Sequence, residues 1–431
     1  MSKAEIKVDH LARIEGHGDI HLVIEDGQVK TCEFRVTEAA RLFESMVKGR
    51  PFQEVPYVAS RVCGICSASH TVTDILAIER IFGVEVTERT RALRELLIYG
   101  SFLQNHATHL FVFAAPDFLG HKSVFPLAEE TPELFEQALG LKALGNELCS
   151  RVGGRSIHPI TAVIGGFTSE IGPDEYLELA DKMDAQVAFA KTCVDLFDDF
   201  GSVPLETAGD MLAMVGQGYP VVGSDEVAFV RAGIRFSAQD FASQIEEYAV
   251  DHSAAFLARM RQTGSPYMAC ALSRVNASWD QLTEPARFAA AKAGLRPPEH
   301  NPFANNIAQA VELVDVLVRC ADTCRRLAKP GTTAFEGTSE PVGFDVRAGV
   351  GVGFTEAPRG ALFHRIELDE AGCVTDATII TPTSQNIANI EADMRLLAES
   401  LLAEGADEAT IQLEEEKLVR AYDPCLSCSV H

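Results

Sequence analysis

The first forty residues alternate apolar and polar side chains, the period of a half-buried β-strand. Two β-rich runs, 20–24 and 32–36, flank Glu25-Asp-Gly-Gln28, whose Asp-Gly step predicts a tight hairpin turn. From about Arg41 the apolar repeat lengthens to that of a helix. Between Glu88 and Ala115, the residues Leu93, Leu96, Leu97, Phe102, Leu103, Leu110 and Phe111 are spaced for one or more packed helices, and Pro116-Asp117 is expected to stop the run. Further helices are predicted over 132–150, 175–200, 236–262, 303–328 and 386–404. The first of these follows Thr131-Pro132-Glu133, a capping hydroxyl with proline in the first turn. A second hairpin is expected where 362–368 and 374–380 flank Asp369-Glu-Ala-Gly372. The Gly/Val-rich stretch 343–353 lacks phosphate-loop spacing and reads as irregular chain lying close to other backbone. Neither a repeat nor a low-complexity linker breaks the chain. The pattern predicts an α+β fold, mainly α: a helical-bundle body with β-hairpins in its N-terminal part and its C-terminal half.

Composition narrows the class. The 431 residues are 47% hydrophobic, with 62 acidic against 37 basic side chains and a formal charge of −25. That apolar content excludes disorder, and the acidic balance argues against nucleic acid as a partner, because phosphate contacts need clustered Lys and Arg. No apolar run approaches the ~20 residues of a membrane span. The start of the chain, Met-Ser-Lys-Ala-Glu-Ile-Lys, lacks the apolar core of a secretory signal. A cytoplasmic location with no direct membrane span is expected.

The eleven cysteines change the picture most. An odd number in a chain without an export signal is a poor disulfide framework. Seven are scattered: Cys32, Cys149, Cys193, Cys270, Cys320, Cys324 and Cys373. The other four form two C-x-x-C pairs, Cys63/Cys66 and Cys425/Cys428, almost at opposite ends of the chain. Two thiolates at this spacing converge on one metal ion, and two pairs supply four sulfur ligands. A structural zinc site is one reading, although zinc ribbons keep their pairs ~15–20 residues apart. A thioredoxin-like dithiol is another, but neither pair has the βαβ context it needs. Cys320 and Cys324, four apart on a predicted helix, read as a core face rather than metal ligands. His106 and His109 read as packing or hydrogen-bonding residues, and His10, His17 and His21 as hydrogen-bonding groups around the N-terminal strands.

The flanks of the pairs carry more. The first lies in Arg61-Val-Cys63-Gly-Ile-Cys66-Ser-Ala-Ser-His70, and the second in Asp423-Pro-Cys425-Leu-Ser-Cys428-Ser-Val-His431. Together these motifs resemble those of the large subunit of nickel–iron hydrogenases. Arg13-Ile-Glu15-Gly-His17, Arg41-Leu-Phe-Glu44, Ala357-Pro-Arg359-Gly360 and Thr381-Pro-Thr383-Ser-Gln-Asn386 extend the likeness over the whole chain, closest to the cytoplasmic, multi-subunit branch. The resemblance implies a single domain, 1–431, closed by a metal site that joins its two ends. Its parts would be a β-rich 1–40, a helical body 41–340, and hairpin, helices and metal motif over 341–431.

The resemblance also implies reversible heterolytic cleavage of dihydrogen at a nickel–iron centre whose iron carries carbon monoxide and cyanide. Carried over, Cys63 and Cys425 are terminal nickel ligands, and Cys66 and Cys428 bridge to iron. Soft thiolates suit both metals. Cys425 takes the proton first and Glu15 relays it. Arg359, beside Pro358, and Thr383 resemble the donors to the cyanides, and His70 and Asp423 the residues that orient the thiolates. Glu44, His431 and the backbone carbonyl of Ile387 would hold a magnesium or similar ion. A chain ending at His431 matches the family's matured form, from which an extension has been removed. Asn105 stands where some members carry an aspartate, which puts any base role there in doubt. Electrons would leave through a small subunit with iron–sulfur clusters and further diaphorase-like, ferredoxin-like or bifurcating subunits. The competing readings are a complex I-like quinone-site relative, which lacks the metal cysteines, and a zinc-thiolate structural protein.

Overall fold

The computed structural model describes residues 3–329 and 335–431. It opens with an antiparallel meander, β1 (Lys3–Val8), β2 (Gly18–Glu25) and β3 (Gln28–Val36), in the order β1-β2-β3. Along β2 the residues Ile20, Leu22 and Ile24 are buried while their neighbours stay half-exposed. Asp26 and Gly27, which turn β2 into β3, both have positive φ, the conformation that an Asp-Gly step accepts.

The helical body contains α1 (Ser67–Phe82), α2 (Glu88–Thr108), α3 (Pro132–Gly153) and α4 (Pro173–Asp199), close to expectation. Two local details differ. The run begun by α2 does not stop at Pro116: it passes through a π-turn, His109–Ala114, and ends at Phe118. Pro116 lies in the first turn of that last short segment, where the π-turn hands over to it. Thr131 does not cap α3; its hydroxyl donates back to the Leu127 carbonyl at 3.1 Å and closes the preceding short helix.

The largest correction lies within 41–340, which is not purely helical. After α4 come β4 (Asp210–Val215), β5 (Glu226–Phe229), β6 (Ile234–Ser237), β7 (Ile245–Tyr248), β8 (Leu257–Met260) and β9 (Tyr267–Met268). One sheet runs β9-β4-β5-β6, and β7 and β8 pair from Ile245↔Met260 to Tyr248↔Leu257. The helix predicted over 236–262 is therefore a hairpin preceded by only a 3-10 turn, Ala238–Asp240, and one α-helical turn, Phe241–Gln244. Short apolar runs fit either period, and here the cross-strand partner decides. Helices α5 (Ala271–Ser278) and α6 (Asn305–Leu327) follow, with a further helix, Glu284–Lys292, between them.

The last third forms a second meander, β10 (Gly349–Ala357), β11 (Gly360–Leu368) and β12 (Val374–Ile380), followed by α7 (Pro382–Glu404), α8 (Glu408–Ala421) and the short α9 (Leu426–Ser429). Part of the stretch read as irregular is thus a strand. It does press on other backbone: a Cβ at Gly353 would lie 1.8 Å from the Thr73 carbonyl oxygen, and one at Gly351 would lie 2.1 Å from that of Ala77. Glycine there lets β10 lie directly on α1. Most buried apolar residues form one cluster spanning the first meander and the helices. A small separate cluster of Phe43, Val62, Ala357, Leu362 and Ile379 surrounds the four paired cysteines.

Candidate metal centre

The chain ends meet at this cluster. Glu15 and Cys425 form a parallel bridge, with the Leu426 amide donating to the Glu15 carbonyl at 2.9 Å. The Arg41 amide donates to the Val430 carbonyl at 2.7 Å. Cys66 immediately precedes α1, and its amide donates to the Cys63 sulfur at 3.3 Å. Asp423 takes a left-handed turn, φ 51°, that brings Cys425 back toward Cys63, the two sulfurs standing 3.6 Å apart. The sulfurs of Cys63, Cys66 and Cys428 all lie within 4.8 Å of one another. All four cysteines are buried and none of the eleven is in a disulfide.

Thiols this close cannot all ionise in water-free surroundings. Hydrogen bonds from Cys425, Cys428 and Cys66 hold the Cys63 thiol well below its usual range, while burial pushes those of Cys425 and Cys428 up. Such a set binds soft cations, whose charge permits every sulfur to be thiolate.

Arg359 is the positive group at the cluster. Its Nη1 donates to the Cys66 sulfur at 3.5 Å, and its Nε to the backbone and carboxylate oxygens of Asp423 at 2.9 and 3.0 Å. Its Nη2 is buried without a partner. A fully buried guanidinium donor needs an acceptor, and an anionic diatomic ligand on a metal supplies one. The residues present therefore fit a thiolate-held metal centre carrying acceptor ligands. Asp423 is further held by Asn105 Nδ2 at 2.7 Å and Gln309 Nε2 at 3.0 Å. Against the upward pull of burial, the Arg359 charge keeps its carboxyl below the usual range.

The other expected residues separate into those brought to the cluster and one that is not. Glu15 accepts from the Cys425 thiol at 3.1 Å and from the Ser427 amide and hydroxyl at 3.1 and 2.6 Å. Thr383 accepts from the Cys425 amide at 2.9 Å, so its own hydroxyl proton remains available. His70 is fully buried and shares a 3.0 Å hydrogen bond with His364, which pairs with Asp74 at 2.6 Å. Glu44 accepts from the Ile379 amide at 2.7 Å and stands 3.9 Å from His431 Nε2; the other ring nitrogen of His431 bonds the Cys428 carbonyl at 2.8 Å. Ile387 is the exception. It is buried in the second turn of α7, where its carbonyl belongs to the helix ladder. The backbone beside Glu44 and His431 is that of Ile379, at the end of β12.

His106 and His109 are hydrogen-bonded, to Glu312 at 2.7 Å and to Gln309 at 2.6 Å. Cys320 and Cys324 are buried core residues. Ser427, Asp74, His364, Gln309 and Ile379 were not predicted. Only Ser427 carried a signal, its place between the two cysteines of the second pair; the rest reach the site from distant parts of the chain.

A model of the nickel-dependent hydrogenase family matches residues 41–147 and 302–431, and a HoxL-like model matches residues 5–39. Sulfhydrogenase 1 subunit alpha of Pyrococcus furiosus is 34% identical over 99% of this chain and 97% of its own length. Sulfhydrogenase 2 subunit alpha of the same organism is 30% identical over 99% and 98%. Among solved structures, an NAD+-reducing NiFe-hydrogenase in the H2-reduced state superposes with a TM-score of 0.84 at 26% identity, covering 99% of each chain. A NiFeSe-hydrogenase from Dm. baculatum shares the fold with a TM-score of 0.77 at 23% identity, covering 100% of each chain.

Proposed function

The chain belongs to the nickel-dependent hydrogenase family as a catalytic large subunit, and from that premise we propose how its residues divide the work. Cys63 and Cys425 would be terminal nickel ligands, and Cys66 and Cys428 would be shared between nickel and an iron carrying carbon monoxide and cyanide. When bound, that centre supplies the heterolytic cleavage of dihydrogen. The Cys425 sulfur accepts the proton and passes it to Glu15 Oε2, 3.1 Å away, while Ser427 fixes the carboxylate from two sides. Arg359 Nη2 and the Thr383 hydroxyl, each with hydrogen-bonding capacity left over, would donate to the diatomic ligands. Asp423, itself held by Asn105 and Gln309, holds Arg359 in place, and His70, whose amide donates to the Cys66 carbonyl at 3.1 Å and whose ring bonds His364, would orient the Cys66 thiolate. Asn105 serves here as a donor to Asp423 and not as a base. Glu44 and His431, with the Ile379 carbonyl, would hold a magnesium or similar ion.

The partner is a small subunit with iron–sulfur clusters, since every cysteine outside the two pairs is separate from the centre. Further electron-transfer subunits (diaphorase-like, ferredoxin-like or bifurcating) connect it to a soluble carrier. A cytoplasmic location follows from the branch, and no helix among the described residues is long and apolar enough to cross a membrane.

The observation that carries the reading is the Cys425–Glu15 contact beside an unpartnered, buried Arg359 nitrogen. Metal analysis with infrared spectroscopy tests it. Nickel, at least one iron per nickel beyond that of any iron–sulfur cluster, and carbonyl and cyanide stretches are expected; zinc alone, or iron without those bands, would overturn the assignment. The same measurement disposes of the zinc-thiolate and quinone-site alternatives.

A further inference from the structure

Pro358 and Arg359 form the two-residue connection between β10 and β11, so the guanidinium at the metal centre sits on a hairpin tip. Within the sheet the tip is closed by one pair, Ala357 and Gly360. Behind it lies a second arginine. Arg274, on α5, is wholly buried and donates from Nη1 to the Ala357 carbonyl at 3.1 Å and from Nη2 to the Pro358 carbonyl at 2.8 Å.

The other faces of the same guanidinium are anchored. Nε and Nη2 reach the two Glu312 oxygens at 2.6 and 2.7 Å, and Nη1 reaches Glu356 at 3.1 Å. Its plane lies over the Phe102 ring, 4.8 Å from the centroid. Glu312 in turn accepts from His106 and from the Tyr219 hydroxyl at 2.7 and 2.6 Å, and Glu356 accepts from the Met214 amide at 2.6 Å. Burial opposes ionisation of both acids, yet the Arg274 charge holds Glu312 down at about 2, whereas Glu356 is pushed up to about 7. The fork is thus fixed on a carboxylate that stays ionised, at neutral pH and well below it.

We propose that Arg274 is a positioning residue of the hydrogenase site: it fastens the Ala357 and Pro358 carbonyls and so fixes where the Arg359 guanidinium stands. The fork geometry is what matters. A lysine keeps the charge but presents one nitrogen, which cannot serve two carbonyls and two carboxylates from a rigid plane. This inference rests on the proposed placement of Arg359 against the diatomic ligands.

The test uses the purified holoenzyme complex carrying R274K. Nickel and iron are retained, because none of the four cysteines touches Arg274. The cyanide stretches are displaced from their wild-type positions, and the Gly360 amide exchanges with deuterium about tenfold faster, as the tip opens locally. Unmoved bands with wild-type exchange would overturn the proposal. R359K separates the two readings. If it leaves the cyanide bands unmoved, the placement of Arg359 fails; if it moves them and R274K does not, only the role of Arg274 fails. Should R274K not accumulate, E312Q withdraws the anchoring charge while keeping its shape. Displaced bands in that variant support the proposal, and unmoved bands overturn it.

Discussion

Glu15→Gln isolates the proton step from everything else at the centre. The glutamate accepts three hydrogen bonds: from the Ser427 amide, the Ser427 hydroxyl and the Cys425 thiol. Glutamine has the same shape and keeps one oxygen for Ser427, but its amide nitrogen cannot take a proton from sulfur. A positioned acid–base group contributes typically ~100- to 10,000-fold to rate. At about 1.4 kcal/mol per factor of ten, that is roughly 3–5 kcal/mol of barrier. Hydrogen oxidation with an artificial dye should fall by that factor, with nickel and iron contents unchanged. Glu15→Asp, which withdraws the carboxylate by one methylene but keeps it, should recover part of the loss. Unchanged turnover in Glu15→Gln, with metals in place, would remove Glu15 from the path. Loss of metal along with activity would make it a structural residue instead.

Three further outcomes follow from other parts of the molecule. Cys425→Ser replaces a soft ligand 3.6 Å from Cys63, and metal analysis should find nickel lost; retained nickel would contradict its role as a ligand. Both Glu415 oxygens are buried without partners, and burial pushes its carboxyl well above the usual range. Folding must therefore protonate it at any pH above its unfolded value, so it subtracts stability increasingly as pH rises from about 4.5. Glu415→Met should raise the thermal midpoint, by about 1–3 kcal/mol in stability, more at pH 7 than at pH 5; an equal gain at both would show the group is not titrating. Gly353→Ala puts a methyl 1.8 Å from the Thr73 carbonyl oxygen, and a strand and a helix must part to admit it. Denaturant melts should show about 3 kcal/mol lost or no soluble protein, overpacking at its upper end, and a neutral effect would mean β10 does not lie on α1 as described.

What the sequence could and could not reveal follows the range of each interaction. The paired cysteines are legible because their spacing is local, with two residues between the members of each pair, and because their flanks carry Arg61, His70, Asp423 and His431 at short spacing. The β2–β3 turn is legible because Asp26 and Gly27 themselves accept positive φ. The strands β7 and β8 are not, since Ile245 and Met260 become a pair only when the chain folds back. The carbonyl beside Glu44 was expected from Ile387, inside the helix that follows Thr383, but β12 runs past Glu44 and presents Ile379 before that helix begins. Arg274, Glu312, His364 and Asp74 have no local signature at all. Each is a buried polar residue whose partners lie tens to hundreds of positions away, and only the closed fold gives them a purpose.

Under the proposed function, four cysteines from the two ends of the chain make a centre that splits dihydrogen heterolytically, with Cys425 as the first proton acceptor. Isotope exchange without any electron acceptor tests it most directly. The purified complex under D2 in ordinary water should release HD as its first product, with none from Cys425→Ser. A metal-loaded complex that releases no HD, or a Cys425→Ser variant that releases as much as wild type, would contradict the account.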